Sequence, residues 1–273
     1  LVGCIHGSVP ELGNLDYLLH MWFAGNYMNG SVASILGGPS VITIGLPQNQ
    51  VNHNLLSAPL PRSICNMTRL DTLILSPNAL EGTIPSCLRF PLLAWLELPG
   101  SRLTGPVGAL LESPEIEYVD LSRNSLTGTL PETLSHLPAL RAFLINHNRF
   151  TGTIPDLSES VDLQYFEAEG NRFTDARGFH GYFGHIVLRG NRFTKLPDTM
   201  FNLPGISLLD ISGNNITYWP PAGVFERGTH SDTGVPIACG RKPIDSRLFA
   251  WPQLEELIIS FNDLHGQDVR EVL

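Results

Sequence analysis

Apolar residues recur along most of the chain in a unit of fixed pattern. In the unit around Asn148, apolar side chains stand fourteen, eleven, eight, five and three residues before the asparagine and two residues after it: Leu134, Leu137, Leu140, Phe143, Ile145 and Phe150. The same anchor position recurs at Asn26, Asn49, Asn78, Ser101, Asn124, Asn148, Asn171, Asn191, Asn214 and Asn262. Most intervals are close to two dozen residues, and a repeat of this length indicates a solenoid.

Each part of the unit predicts a structural element. The L-x-L segment alternates with period two, so it predicts a strand whose leucines face inward and whose other residues face outward. Units of this length place successive strands in parallel. The L-x-x-L-x-x-L segment has period three and predicts a 3₁₀ segment on the outer side, while x-G-x-I-P predicts a short second strand. An Asn amide can satisfy the backbone groups of the turn, so we expect an asparagine ladder.

The complete pattern, L-x-x-L-x-x-L-x-L-x-x-N-x-L-x-G-x-I-P, resembles the leucine-rich repeat. Its tails LTGTLP (126–131) and FTGTIP (150–155) are similar to those of the plant-type subclass. Such repeats occur in the ectodomains of plant receptor kinases, in receptor-like proteins, in polygalacturonase inhibitors, and in protist surface antigens, including those of trypanosomatids. The resemblance implies a curved right-handed solenoid with a concave parallel sheet, 3₁₀ or short helical segments on the convex side, and protein or peptide binding on the concave face.

The repeat predicts one domain over 1–273 with about 10–11 repeats, and four places depart from the pattern. Ser101 replaces the ladder asparagine, which predicts a weaker ladder bond. Extra residues predict a bulge over 47–54, either a tolerated insertion or a loop at the rim of the binding face. The tail after Asn171 lacks G-x-I-P, so we expect its second strand to fail. An irregular loop and a degenerate repeat are expected over about 220–248. Because the chain opens inside a repeat, we also expect flanking sequence outside it.

The outward positions of the predicted strands lie six and four residues before each anchor. They carry large aromatic side chains, carboxylates and scattered aliphatic residues, without a matching basic row. We predict a ligand-binding surface there, formed by Trp22, Trp95, Glu97, Tyr118, Asp120, Leu144, Tyr165, Glu167, His185 and Asp210. Exposed aromatics are typical anchors of interfaces. The alternative is that these aromatics only pack on their cross-strand neighbours.

Charge narrows the class of partner. The chain has a formal net charge of -9 and only 16% charged residues, which argues against nucleic acid and anionic membranes. Carboxylates on the predicted face favour a protein or peptide that contains Lys or Arg. No apolar run is long enough to cross a membrane, so we expect no membrane insertion in this segment.

Sequons and cysteines suggest the compartment. Sequons begin at Asn29, Asn66 and Asn215, all at positions not predicted to face inward, so N-glycans and an extracellular or cell-surface location are expected. Cys87 stands at an inward position of its coil, and Cys65 lies one residue past that position in the preceding coil. Because adjacent coils are about 5 Å apart, a disulfide is within reach; two buried thiols are the alternative.

No catalytic constellation stands out from the sequence. The chain lacks GxSxG, HExxH and Walker motifs, and we expect no enzyme activity, no cofactor and no metal. Glu97 and Asp120 superficially resemble a glycosidase pair, but an open sheet offers no enclosed pocket. The sequence therefore predicts a non-catalytic extracellular module that binds a protein or peptide. The alternative is a structural scaffold subunit of a larger cell-surface or matrix assembly.

Overall fold

The structure is a computed structural model of the 273-residue chain. It describes residues 6–8, 17–23, 26–30, 40–45, 55–56, 59–75, 78, 80–87, 90–108, 113–217, 253–260 and 262. The predicted leucine-rich-repeat solenoid is confirmed, because the described strands stack in parallel, coil upon coil.

Ten parallel strands form the largest sheet, which we call the front sheet. They are β2 (His20–Trp22), β4 (Thr43–Gly45), β6 (Thr72–Ile74), β8 (Trp95–Glu97), β10 (Tyr118–Asp120), β12 (Ala142–Leu144), β14 (Tyr165–Glu167), β16 (His185–Val187), β17 (Leu208–Asp210) and β18 (Glu256–Ile258). Each strand occupies the three residues that lie six to four positions before an anchor. The L-x-L segments therefore form strands at every predicted place.

The tails of the repeats form further parallel sheets. The second sheet contains β7 (Glu81–Thr83), β9 (Arg102–Gly105), β11 (Ser125–Gly128), β13 (Arg149–Asp156) and β15 (Arg172–Gly178). A three-stranded sheet contains β1 (His6–Ser8), β3 (Tyr27–Gly30) and β5 (Leu55–Leu56). The predicted period-three segments form 3₁₀ helices at Arg62–Asn66, Glu132–His136 and Asp198–Asn202.

The expected failure of the second strand after Asn171 is wrong. Strand β15 is seven residues long and pairs with β13, with a register shift between Gly152 and Thr153. The pairing needs backbone groups and inward apolar side chains rather than the G-x-I-P letters. Phe173 and Ala176 supply those side chains, since both are buried, and the irregular register accommodates the missing glycine.

The core is a continuous stack of apolar side chains between the strands and the outer segments. The middle residue of each central front-sheet strand is buried, as at Leu96, Val119, Phe143, Phe166 and Ile186. Each coil buries its apolar face only against its neighbours, so the stability of the fold depends on stacking.

Side-chain amides link consecutive coils. The Nδ2 of Asn148 donates to the carbonyls of Leu121 in the preceding coil (2.9 Å) and Ile145 in its own coil (3.2 Å). Its Oδ1 accepts the Leu126 N–H at 3.0 Å. Six anchors make this set of bonds to the coil before them and to their own coil: Asn124, Asn148, Asn171, Asn191, Asn214 and Asn262. These are the bonds expected of an asparagine ladder.

The ladder is weaker at Asn78 and Ser101. Ser101 makes one side-chain bond, from its hydroxyl to the Asn78 carbonyl at 3.2 Å. Among the described residues, the buried Oδ1 of Asn78 has no hydrogen-bond partner. Asn26 donates to the Phe23 carbonyl, whereas Asn49 and the predicted bulge over 47–54 lie outside the described residues.

In the front sheet, the strand before Asn214 is followed directly by the strand before Asn262. Strand β17 pairs directly with β18, and Leu209 lies opposite Leu257. Asn262 makes the usual ladder bonds to Ile211 O (2.9 Å) and from Ile216 N–H (3.2 Å), so it anchors the very next coil. The predicted irregular loop and degenerate repeat over about 220–248 lie outside the described residues.

Cys65 and Cys87 form a disulfide, with Cα atoms 5.8 Å apart. The expectation that Cys87 faces inward is wrong, because its side chain is exposed. Phe90, three residues later, is buried and fills the core of that coil instead. The bridge therefore joins two coils at the surface of the outer side.

Candidate functional site

The solvent-facing side of the front sheet, which we call the front face, carries most of the predicted binding residues. Trp22, Trp95 and Tyr165 are exposed, and Glu97, Tyr118, Asp120, Leu144, Glu167 and His185 are partly exposed. The prediction for Asp210 is wrong in one respect, because only 6% of this residue is exposed. Its carboxylate instead accepts the Ser212 N–H at 2.9 Å, which ties it to the turn after its strand.

Trp95 and Tyr118 form a stacked aromatic pair on neighbouring strands. Their ring centroids are 4.1 Å apart and their planes differ by 6°. The indole N–H of Trp95 donates to Glu97 Oε1 at 2.7 Å, so the ring is held on both its face and its edge. Stacking of such pairs adds about 0.5–1.5 kcal/mol beyond burial. The pair forms a rigid apolar platform on the front face.

Three carboxylates surround this platform. Glu97 lies opposite Asp120 in the parallel register, and Leu144 separates Asp120 from Glu167 one strand further on. Burial of the Tyr118 phenol is the main reason that its pKa is raised to about 12. Three carboxylates add to this increase: those of Asp120, Glu97 and Glu167. The front face around Tyr118 therefore attracts positive charge.

A second aromatic pair lies beyond a small residue. Tyr165 and His185 meet edge to face, with ring centroids 4.9 Å apart. Ala142 stands between Tyr118 and Tyr165 in the register. Because its side chain is much shorter than either ring, the front face is lower there. We call this feature the alanine step, formed by Tyr118, Ala142 and Tyr165.

Polar residues next to the strands, which the sequence analysis did not select, hold the carboxylates in place. The Nδ2 of Asn146 donates to Glu167 Oε2 at 2.7 Å, and its Oδ1 accepts the Glu169 N–H at 3.1 Å. Arg189 Nε lies 3.7 Å from Glu169 Oε1. These residues lie two positions before an anchor, so the same alternation that selected Glu167 could have identified them.

Trp22 forms the aromatic surface at the other end of the front sheet and packs over a glycine. It lies opposite Gly45 in the register, and a Cβ added at Gly45 would lie 2.0 Å from Trp22 Cε3. Only a glycine leaves room for the indole in this position. The tryptophan remains 55% exposed and can contact a partner.

The remaining predictions concern the rest of the surface. Asn66 and Asn215 are exposed, and Asn29 lies in β3; their glycosylation stays a prediction. Within the described ranges, no group of three or more His, Cys, Asp or Glu side chains is placed to hold a metal ion. In the same ranges, no helix has the length and apolar character needed to cross a membrane.

Comparison with known proteins agrees with the architecture. Residues 115–137 match the family Leucine Rich Repeat. That match, the ten-stranded sheet and the asparagine ladder together identify the architecture as a leucine-rich-repeat solenoid.

The chain is also similar to particular proteins over much of its length. It is 29% identical to mouse (Mus musculus) Tsukushi over 219 residues, which covers 76% of this chain and 60% of Tsukushi. It is 28% identical to receptor-like protein 54 of Arabidopsis thaliana over 243 residues, 76% of this chain and 30% of that protein. The solved plant peptide hormone receptor RGFR1 in complex with RGF2 aligns with a TM-score of 0.67 and 26% identity, over 80% of this chain and 40% of the receptor.

Proposed function

We propose that this chain is a non-catalytic extracellular module whose front face binds a protein or peptide through a Lys or Arg side chain. The observation that carries the proposal is the combination of the Trp95–Tyr118 platform with carboxylates on its border. Exposed aromatic anchors supply most of the binding energy at interfaces. Carboxylates beside them select a cation and exclude acidic partners.

The alanine step suggests where the cation would lie. The aliphatic stem of a lysine or arginine fits over Ala142 and Leu144, where the surface is low and apolar. Its charged head would then lie between Asp120 and Glu167, which occupy strands on either side of Leu144. Tyr118 would offer its ring face to the same cation, an interaction that contributes about 0.5–2 kcal/mol.

The similar proteins support this class of function. RGFR1 was solved in complex with RGF2 and is described as a peptide hormone receptor. GASSHO1/SCHENGEN3, which shares the fold, is described as the ectodomain of a plant membrane receptor kinase, and this supports an extracellular location. The chain spans about 60% of Tsukushi and less of the receptors, so the ligand has to be identified on this chain itself.

A peptide selection tests the proposal. A random peptide library would be selected on the wild-type protein and counter-selected on Trp95→Ala/Tyr118→Ala. We expect the selected peptides to contain Lys or Arg and to lose more than about 2 kcal/mol of binding free energy on the double variant. Calorimetry with synthetic peptides gives the affinities, and thermal unfolding shows whether the variant is folded.

Ala142→Phe supplies a sharper variant, because it fills the alanine step without removing any charge or aromatic ring. We expect it to abolish binding of the selected peptides. Thr43→Phe adds the same ring at the equivalent position of β4, where Thr72 separates it from Trp95, and should leave binding unchanged. Peptides without basic residues, or equal binding to Ala142→Phe and the wild type, would contradict the proposal.

A further inference from the structure

The second sheet carries a column of basic side chains that the front face does not use. The residue directly after the anchor is exposed or partly exposed in five consecutive coils: Arg102, Ser125, Arg149, Arg172 and Arg192. Two residues later, each coil exposes a threonine: Thr104, Thr127, Thr151, Thr174 and Thr194. The residue between them is buried in every case, so both sets face solvent. In four of the coils they lie on the same side of the second sheet, and Arg192 and Thr194 continue the series beyond its last strand, β15.

The register brings the two sets together. Thr127 lies opposite Arg149, and Thr151 lies opposite Arg172. The backbone N–H of Arg192 donates to Phe173 O at 2.8 Å. This bond holds Arg192 next to β15, the strand that contains Arg172. Neighbouring strands are about 4.8 Å apart. A threonine of one coil therefore lies next to an arginine of the following coil, and we call this surface the arginine–threonine column.

The threonine side chains are oriented by the backbone. The hydroxyls of Thr151 and Thr174 donate to the carbonyls of Gly128 and Gly152, each at 3.3 Å. Because a hydroxyl has one proton and two lone pairs, these oxygens can accept a hydrogen bond from a ligand hydroxyl. The column thus alternates fixed acceptors with cationic donors.

The charge of the column is not neutralised within the part of the chain that the structure describes. There, Arg141, Arg177 and Arg189 pair with carboxylates, whereas no ion pair involves Arg149, Arg172 or Arg192. Three acidic residues lie on the same sheet: Glu81, opposite Arg102; Asp156, which accepts the Ser158 N–H and lies 3.6 Å from His180 Nε2; and Asp175, which accepts the Ala176 N–H. Lys195, three residues after Arg192, is exposed and adds a further positive charge.

We infer that the arginine–threonine column binds a linear polysaccharide that carries carboxylate groups. Guanidinium groups bind carboxylates with two parallel hydrogen bonds, and the threonine oxygens can accept the hydroxyl protons of the sugars between them. The column is periodic and open, which suits an extended repeating chain better than a compact ligand. The column is positive whereas the whole chain has a net charge of -9. The attraction of a negatively charged polysaccharide must therefore come from the local charge of the column.

The test measures binding of polygalacturonate to the purified protein at low ionic strength, with neutral dextran as a negative control and dextran sulfate as a second polyanion. We expect saturable binding of polygalacturonate that weakens as salt is added. Arg149→Ser/Arg172→Ser/Arg192→Ser should weaken it at least tenfold. Serine is chosen because Ser125 occupies the same position in a neighbouring coil.

The control variant Arg62→Ser/Arg69→Ser/Arg141→Ser removes three exposed positive charges elsewhere and should bind like the wild type. Ser125→Arg fills the gap in the column and should strengthen binding several-fold. This variant tests whether the column binds the polysaccharide even if the triple variant fails to fold.

Three results would overturn the inference. They are an equal loss in both triple variants, no gain for Ser125→Arg, and binding of dextran sulfate without binding of polygalacturonate. Trp95→Ala/Tyr118→Ala should leave polysaccharide binding intact, so this test is independent of the proposed peptide-binding function.

Discussion

The front sheet and the second sheet are built by the same coils but expose opposite chemistry. Both are parallel, and both turn apolar side chains such as Phe143 and Phe150 into one core. The front face exposes a stacked aromatic pair among carboxylates, while the second sheet exposes arginines alternating with threonines. The inward positions define the fold, and the outward positions of each sheet are free to carry separate binding functions.

The comparison of the two sheets also shows why the net charge of the chain does not predict the charge of either sheet's surface. A net charge of -9 describes neither sheet, because acidic and basic residues occupy different columns. A surface position at a fixed number of residues from the anchor recurs in every coil, so residues of like charge at that position line up along the axis of the solenoid.

The largest effect should come from the ladder that supports both sheets. Asn148→Ala removes partners from Leu121 O, Ile145 O and Leu126 N–H, and each buried group left unpaired costs about 1–3 kcal/mol. Ser101→Ala removes one bond and should cost about 1 kcal/mol. Chemical denaturation measures both. Equal losses would contradict the different roles of the two anchors.

The next effect is specific to the front face. Gly45→Ala places a Cβ where the Trp22 indole lies, so the ring must move at a cost of about 1–3 kcal/mol. Tryptophan fluorescence should change together with the melting temperature. Gly108→Ala is the matched control, since a Cβ there meets nothing within 4 Å. An unchanged spectrum for Gly45→Ala would show that Trp22 does not pack as described.

A smaller effect is expected in the turns that join the two sheets. His147 precedes an anchor with a φ of 54°, a conformation that glycine adopts at the equivalent Gly170 and Gly190. His147→Gly should change stability by less than about 1 kcal/mol, because relief of strain is offset by greater freedom of the unfolded chain. Gly170→Ala should destabilise by about 1–2 kcal/mol. Thermal unfolding compares them, and a stabilising Gly170→Ala would contradict this account of the turn.

The smallest effect reports the charge of the front face. Because the pKa of Tyr118 is raised to about 12, its stabilising contribution is complete below the ordinary tyrosine pKa and is lost between about pH 10 and 12. Asp120→Asn should lower this pKa without restoring the ordinary value, since burial is the larger cause. Tyrosinate absorbance measured against Tyr118→Phe gives the titration, with Asp162→Asn as the control. An unchanged pKa in Asp120→Asn would remove the evidence for a negative front face at this position.

The sequence predicts the front sheet well because its strands obey a strict rule. Every L-x-L segment that precedes an anchor forms a strand, including the segments before Ser101 and Asn262. Strand β15 was not predicted because its pairing depends on the backbone and on the buried side chains of Phe173 and Ala176, rather than on the G-x-I-P motif. The burial of Asp210 depends on the residues that pack around it in the folded chain. Its distance in sequence from the anchor does not indicate those residues.

Carboxylate footprinting tests most directly whether the front face is the binding surface. Carbodiimide labelling followed by mass spectrometry would compare the free protein with its complex with a selected peptide. The account predicts protection of Glu97, Asp120 and Glu167 and unchanged labelling of Glu81 and Glu159, which lie away from the front sheet. Unchanged labelling of the three front-face carboxylates, with protection elsewhere, would contradict it.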